Sequence, residues 1–269
     1  MSRYRLYPTA EQVPVLDTHC AHERFLWNPC VEQQSYFTRG GVRPSGHAER
    51  NRQLTEARAA FDWLAAGSVN VQQQALRNFD QAMKNFFNGS HRKPDFRRRG
   101  QSDGFRVVGK DFRVGKLNRK WSQCWVPKVG WVKFRRTRDV PDGAKSYRIM
   151  RDRAGRWHVA FAVKPEPIEA PGTGEVVGVD RGVVITAALS AGKMLHCPTL
   201  TKREQAKLRK AQRRAARAPK GSGAKHAEYG KAAKLKVREA DIRKDFVEEA
   251  STSLARRFDL IRFENLNIV

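Results

Sequence analysis

The sequence predicts an α+β protein of several parts: a helical bundle, a small antiparallel β-barrel and an incomplete α/β domain. Apolar residues recur at helical spacing up to residue 90, and alternation with a period of two begins after Pro94. Beyond residue 174, short apolar strands flank a long Ala-rich stretch. Prolines and glycines near 166–173 indicate a linker at the clearest boundary.

The helical bundle is predicted for residues 11–90. Thr9, followed by Gln12, resembles an N-cap that opens the first helix, in which Pro29 allows a kink. A loop is expected at 39–46, a second helix at 47–66 and a third after Ser68 as N-cap. The apolar stripe of that third helix indicates core packing and comprises Val69, Leu76, Phe79, Met83 and Phe86.

The barrel is predicted for residues 1–10 and 91–165. Alternating segments lie at 105–108, 125–134, 147–150 and 157–163, with turn residues between them. Basic residues there interleave with Trp125, Trp131 and Phe134. Cations beside aromatic rings suit RNA or single strands, although each ring could equally be barrel core.

The third part contains two isolated acids at predicted strand ends. A strand at 175–179 leads to Asp180, and a final strand at 259–263 leads to Glu264. Between them lie a hairpin and a basic helical stretch that breaks at 219–223. This order is typical of a ribonuclease-H-like fold, in which strand-end acids converge on Mg²⁺ or Mn²⁺ and cleave phosphodiesters. The alternative is that each acid is a turn residue or cap.

The formal net charge of +26 predicts a polyanionic partner. Residues 91–136 carry 15 Lys and Arg against 3 acids, and residues 201–244 carry 16 against 4. Such blocks predict nucleic-acid binding that weakens with salt. The candidate nucleic-acid-binding residues are Lys93, Arg97, Arg98, Arg99, Lys128, Trp131, Lys133, Arg209, Arg213, Arg214 and Lys244.

Other classes of protein are disfavoured. No apolar run approaches the ~18 residues of a transmembrane helix, and the start lacks the apolar core of a secretory signal. We therefore expect no membrane partner and a cytoplasmic, nucleoid-associated location. The four cysteines are widely spaced, so we expect no zinc within this chain.

Ordered motifs along the chain resemble the transposon-encoded TnpB family, RNA-guided RuvC-like nucleases related to type V CRISPR effectors. Gly178-Val179-Asp180-Arg181-Gly182 resembles the first RuvC motif, and Phe263-Glu264-Asn265-Leu266-Asn267 resembles the second. The remaining blocks are residues 4–12, Arg24 with Trp27 and Asn28, residues 93–98, residues 126–133, and residues 243–246 with Ser251, Thr252 and Leu254.

The resemblance implies a function and a role for each part. Residues 11–90 would be the recognition bundle, the barrel would be wedge-like, and residues 174–269 would begin the RuvC domain. Asp180 and Glu264 would be catalytic metal ligands for Mg²⁺ or Mn²⁺. The partners would be a guide RNA from the transposon end and a target DNA duplex.

The sequence departs from the family pattern at its end. Family members continue into a zinc ribbon and a third RuvC motif with another acid, which this sequence lacks. We therefore expect metal-dependent cleavage to be impaired in this chain alone. The alternative is a nuclease-silent RNA-guided DNA binder or repressor.

Overall fold

The computed structural model describes residues 2–40, 45–101, 103–164, 166–182 and 184–264. The chain divides into two compact units, residues 1–164 and 165–269. Both units combine helices with strands, so the α+β class predicted from the sequence is confirmed.

The helices of the first unit begin and end close to the predicted positions. They are α1 (Gln12–Gly40), α2 (His47–Ala60), α3 (Asp62–Ala65) and α4 (Val69–Phe87). Thr9 caps α1 as predicted: its Oγ1 accepts the Gln12 N–H at 3.3 Å, and its own N–H donates to Gln12 Oε1 at 3.1 Å. Ser68 occupies the N-cap position of α4, but its side chain makes no capping hydrogen bond.

Two expectations about these helices were wrong. The predicted helix 47–66 is two helices, because Phe61 adopts an extended backbone with φ −128° and ends α2. The predicted loop begins too early, since Arg39 and Gly40 belong to α1. Pro29 does not break α1, which runs through it. Residues 41–44 of the predicted loop lie outside the described residues.

The strands of the first unit form an antiparallel sheet, with order β2-β6-β7-β1-β5-β4-β3 among the described residues. The strands are β1 (Ser2–Tyr7), β2 (Gly104–Val108), β3 (Val114–Lys116), β4 (Trp121–Val126), β5 (Gly130–Arg135), β6 (Ser146–Arg151) and β7 (Trp157–Phe161). The N-terminal strand β1 lies at the centre, between β7 and β5.

Alternate residues of these strands point into one core, around which the sheet curls. Leu16 and Cys20 of α1 and Val71 of α4 belong to the same core, so the helices and the sheet pack together. The strand residues in it are Tyr4, Leu6, Phe105, Val107, Cys124, Val126, Val132, Phe134, Tyr147, Ile149, Trp157, Val159 and Phe161. A second core lies among the helices and includes Trp27, Leu54, Leu64 and Phe79.

The second unit places a small sheet beside two long helices. The sheet order is β10-β9-β8-β11 in the described part of this unit, with β11 parallel to β8 and the other pairs antiparallel. Its elements are β8 (Val176–Asp180), β9 (Ala187–Leu189), β10 (Met194–Leu195), α5 (Lys202–Arg217), α6 (Gly223–Arg257) and β11 (Leu260–Phe263). The predicted break at 219–223 separates α5 from α6.

Candidate functional site

The two candidate acids lie beside each other at one edge of the small sheet. In the parallel pair, Val179 of β8 is opposite Phe263 of β11. Asp180 and Glu264 follow these residues, so both acids stand at the carboxyl ends of neighbouring strands. Hydrogen-bonded strands are about 4.8 Å apart, so the two acids lie close together.

The acids point away from the core of this unit. Val177, Val179 and Ile261 pack against the C-terminal part of α6, and residues alternating with them face the other side of the sheet. Asp180 and Glu264 are exposed and line one shallow depression, together with Gly178, Ser190 and Arg262. The site can therefore be approached by a large ligand such as a nucleic-acid strand.

Arg262 is a further candidate residue, which the sequence did not reveal. It lies on β11 opposite Gly178, two residues before Glu264, and lines the same depression. Residues two apart along a strand face the same side of a sheet, so the position of Arg262 relative to Glu264 could have indicated this. A guanidinium beside two carboxylates can bind a phosphate oxygen, which carboxylates alone would repel.

Local hydrogen bonds fix the end of β8, on which Asp180 lies. The Gly178 N–H donates to Ser190 Oγ at 2.9 Å, and the Ser190 N–H donates to the Gly178 carbonyl at 2.9 Å. Just after Asp180, the Gly182 N–H donates to the Ile185 carbonyl at 3.1 Å. A Cβ at position 182 would lie 2.9 Å from that carbonyl oxygen, so glycine permits this tight turn.

Asp259 holds the beginning of β11, the strand that leads to Glu264. Its carboxylate accepts the Gly172 N–H at 2.7 Å, the Gly174 N–H, and the Thr173 hydroxyl at 3.3 Å. The hydrogen bond from Gly172 is the largest cause that lowers the pKa of Asp259. The ionised carboxylate thus ties the segment before β8 to β11.

The two carboxylates fit a hard divalent cation. Mg²⁺ is commonly bound through one or two carboxylates, several waters and substrate phosphates, and exposed Asp180 and Glu264 leave room for these. Within the described ranges, no group of three His, Cys, Asp or Glu side chains could hold a metal.

The candidate cations Lys93, Arg98 and Arg99 are exposed on the extended segment after α4, whereas Arg97 is largely buried against α1. Arg97 pairs with Glu23 at 2.8 Å, and its guanidinium lies 3.5 Å from the ring centre of Trp27. Its backbone N–H donates to Asn28 Oδ1 at 2.9 Å, and its carbonyl accepts from Asn28 Nδ2 at 3.1 Å. These contacts fix the segment that carries the other three cations.

The candidate residues on the large sheet face solvent. Lys128 is exposed in the turn between β4 and β5, where its φ is +65°. Trp131 and Lys133 point outward from β5, but Phe134 points into the core. The sequence could not assign these rings to core or surface. The structure places Phe134 in the core and Trp131 on the surface.

The remaining candidates lie on the helical hairpin of the second unit. Arg209, Arg213 and Arg214 are exposed on α5, and Lys244 is exposed on α6. Arg209 and Arg213 lie on one face of α5, at a spacing of four residues. Arg214 approaches the half-buried Glu228 at 3.9 Å. Lys244 approaches Glu248 at 3.4 Å in an exposed pair of little strength.

Two family models match the chain. Residues 158–269 match a family described as "Probable transposase", and residues 2–41 match one described as a helix-turn-helix domain. Within this second range, residues 2–40 fold as β1 followed by the single helix α1.

Two curated proteins are similar along almost the whole chain. A Streptomyces pristinaespiralis protein named as an RNA-guided DNA endonuclease is 30% identical over 270 residues, covering 99% of this chain. The Escherichia coli K12 protein InsQ, with the same descriptive name, is 27% identical over 271 residues, again covering 99%. The chain spans 66% of the length of each of these relatives.

A solved structure of a CRISPR-Cas12f ternary complex is also similar, with a TM-score of 0.42 and 13% sequence identity. The match covers 96% of this chain and 64% of that one. No helix in the part of the chain that the structure describes is long and apolar enough to cross a membrane.

Proposed function

Because the chain belongs to the transposon-encoded TnpB family, we propose that it is a transposon-associated, RNA-guided DNA-binding protein of the endonuclease type. The observation that carries this proposal is the pairing of β8 with β11, which brings Asp180 and Glu264 to one exposed edge. Both relatives above are named as RNA-guided DNA endonucleases, which supports the same activity here.

The second unit is proposed to belong to a RuvC-like, ribonuclease-H-like domain covering residues 174–269. The strand order supports this assignment. Strands β8, β9 and β10 pair antiparallel in sequence order, and after two helices β11 returns parallel to β8. In the first unit, residues 11–90 would form the recognition bundle, and residues 1–10 and 91–165 would form the wedge-like sheet.

Asp180 and Glu264 would hold the divalent cation in this mechanism. Bound Mg²⁺ or Mn²⁺ would stabilise negative charge on the phosphate oxygens during in-line phosphodiester cleavage. The residues of the chain orient the substrate: Arg262 neutralises a phosphate at the site, and Gly178 leaves space beside Asp180.

The two basic blocks supply the charge for a guide RNA and its heteroduplex with target DNA. Lys93, Arg98 and Arg99 on the first unit are exposed, as are Arg209 and Arg213 on the second. A protein of this type reads backbone shape and charge, while base pairing with the guide selects the sequence. These partners agree with the nucleoid-associated location expected above.

Co-expression with RNA from a transposon end tests the RNA-guided part. We expect the purified chain to retain that RNA and to bind a guide-matched duplex more tightly than a mismatched one. Equal binding of both duplexes would contradict RNA guidance. Matched binding with no cleavage at any Mg²⁺ or Mn²⁺ concentration would contradict the nuclease part and match the alternative, an RNA-guided DNA binder.

A further inference from the structure

The outward face of strands β1, β4 and β5 carries four aromatic side chains, which we call the aromatic face. They are Tyr7, Trp121, Trp125 and Trp131. Tyr7 packs edge-to-face on Trp121 at 5.1 Å, and Trp125 packs edge-to-face on Trp131 at 5.6 Å. Tyr7 is 47% exposed and Trp131 is 40% exposed, so each pair presents an accessible ring.

Strand register brings the two aromatic pairs onto one surface. Trp125 is opposite Trp131 across β4 and β5, while Tyr7 of β1 is opposite Lys133 of β5. Lys133 is in turn opposite Gln123 of β4. The cross-strand row with Lys133 therefore adjoins the row formed by the two tryptophans.

Arginines lie over three of these rings. The guanidinium carbon of Arg113 is 4.1 Å from the ring centre of Trp125, that of Arg135 is 5.4 Å from Trp121, and that of Arg5 is 5.7 Å from Tyr7. Such contacts hold aromatic rings and cations in one surface layer. Exposed Lys133 adds a further positive charge between the aromatic pairs.

Cations outnumber acids in the sequence that forms most of the face, although Arg136 pairs with Asp139 just beyond it. Residues 112–138, which contain β3, β4 and β5, include nine Lys and Arg and no Asp or Glu. Among the described residues, neither Lys133 nor Arg135 forms an ion pair. Structural aromatic packing alone would not require such an excess of cations over carboxylates.

We propose that the aromatic face binds unpaired nucleotides of a single-stranded RNA, with bases stacking on Trp131 and Tyr7 and phosphates contacting Lys133 and Arg135. Exposed rings among cations favour a single strand, because the bases of a duplex already stack on each other. This inference deepens the proposed function, on which it rests for the choice of RNA. A single-stranded part of the guide RNA would be the natural ligand.

Fluorescence anisotropy with the full chain tests this proposal. The probes are a labelled oligo-uridine of about 12 nucleotides, a thymidine oligonucleotide of equal length and an RNA duplex, within the range of single-strand site sizes. We expect Trp131→Leu to weaken oligo-uridine binding about tenfold, as the loss of one stacked base predicts, and to leave duplex binding nearly unchanged. Bound oligo-uridine should also quench tryptophan fluorescence less in this variant.

Two further variants serve as controls. Lys133→Gln should weaken the binding of single-stranded and duplex RNA alike. It should also reduce by about one the slope of the logarithm of the binding constant against the logarithm of salt concentration, as expected for a phosphate contact. Trp63→Leu removes a similarly exposed tryptophan, 47% exposed on α3, and should leave oligo-uridine affinity unchanged. Unchanged circular dichroism and unfolding temperature would show that each variant is folded.

The outcomes separate this inference from the proposed function. Full oligo-uridine affinity in folded Trp131→Leu, equal losses in Trp63→Leu, or tighter binding of thymidine DNA would overturn the aromatic face as an RNA site. The proposed function would survive each of these results. If the wild-type chain bound no RNA of any kind, the proposed function itself would fail.

Discussion

A polar network of largely buried side chains holds the turn between α3 and α4 in place. Arg58 Nη1 donates to the carbonyls of Leu64 and Gly67 and to Gln72 Oε1. His22 donates through Nε2 to the Trp63 carbonyl at 3.1 Å. Because these partners satisfy the carbonyls at the end of α3, the chain can turn sharply in a buried environment.

Gly67 lies against this network, and we predict that Gly67→Ala destabilises the first unit. A Cβ there would overlap the His22 ring and approach Gln72 Nε2 at 2.7 Å. Overpacking of this kind costs about 1–3 kcal/mol. Urea unfolding should show this loss, whereas Gly46→Ala, with no atom within 4 Å of the new Cβ, should cost less, because it only replaces the N-cap residue of α2. Equal stability of the two variants would contradict the packing described.

Two buried histidines predict a loss of stability in mild acid. Burial lowers the pKa of His19, which donates to the Pro127 carbonyl at 2.8 Å, and burial also lowers the pKa of His22. The unfolded chain therefore binds protons first as pH falls below 6.5. Stability is full above that pH and falls by up to about 1.4 kcal/mol per pH unit for each histidine.

Thermal unfolding at several pH values between neutrality and mild acid measures this effect. A double variant, His19→Gln with His22→Gln, should show a shallower fall, because glutamine does not titrate. A first unit that became more stable in acid would contradict buried neutral histidines.

At the scale of elements, α1 holds the basic segment that follows α4. Trp27 Nε1 donates to the Asp95 carbonyl at 2.9 Å, and the Asn28 side chain bonds both backbone groups of Arg97. Two motifs that are distant in sequence thus meet in the structure. Arg97 therefore positions this segment, while Lys93, Arg98 and Arg99 face solvent.

We predict that Asn28→Ala frees this segment without unfolding the unit. Loss of both hydrogen bonds to Arg97 should make tryptic cleavage near residues 97–99 at least several times faster, since proteolysis follows local opening. The control is Gln81→Ala, which removes only an exposed bond to Asn85. Unchanged cleavage in Asn28→Ala would show that other contacts hold the segment.

Asp259, at the start of β11, provides a second prediction about how one residue holds an element in place. Its folded pKa is lowered, so the stability that it contributes is present above the usual aspartate pKa of 3.8 and is lost as pH falls through the lowered value. We predict that Asp259→Ala lowers the unfolding temperature of the second unit at neutral pH and that this difference disappears in strong acid. Asp245→Ala, which alters an exposed carboxylate on α6, should have little effect. A deficit that persisted in strong acid would contradict this assignment.

Much of this architecture could be predicted from local sequence patterns. The buried Leu76, Phe79 and Met83 of α4, the N-cap at Thr9 and the break between α5 and α6 follow from spacing and turn residues. Val69, which was predicted to lie in the same core stripe, is instead exposed. The end of α2 could not be predicted, because neither glycine nor proline marks Phe61. The sequence left the rings of Trp131 and Phe134 unassigned, and only packing showed that Phe134 faces the core.

Local sequence patterns also predicted part of the candidate site. Asp180 and Glu264 could be identified as isolated acids after apolar strands. Their proximity depends on the parallel pairing of β8 with β11, which joins residues far apart in sequence. Arg262 became a site residue only when that register was known.

At the scale of the whole molecule, the charge of +26 is divided between the two units. One basic block surrounds the segment after α4 and the strands of the large sheet, and the other forms α5 and most of α6. In the described ion pairs of α5 and α6 the cation is exposed, and these pairs offset only part of this charge. Bound nucleic acid would relieve the repulsion in each unit.

Cleavage of a guide-matched duplex measures whether Asp180 and Glu264 form a metal-dependent nuclease site. With RNA bound and Mn²⁺ varied, Asp180→Asn and Glu264→Gln should each slow cleavage by more than about 100-fold, since even residues behind metal ligands cost 10–100-fold. Both variants should still bind the duplex, and Asp245→Asn should cleave like the wild type. Wild-type cleavage rates in the Asp180→Asn, Glu264→Gln double variant would contradict the account.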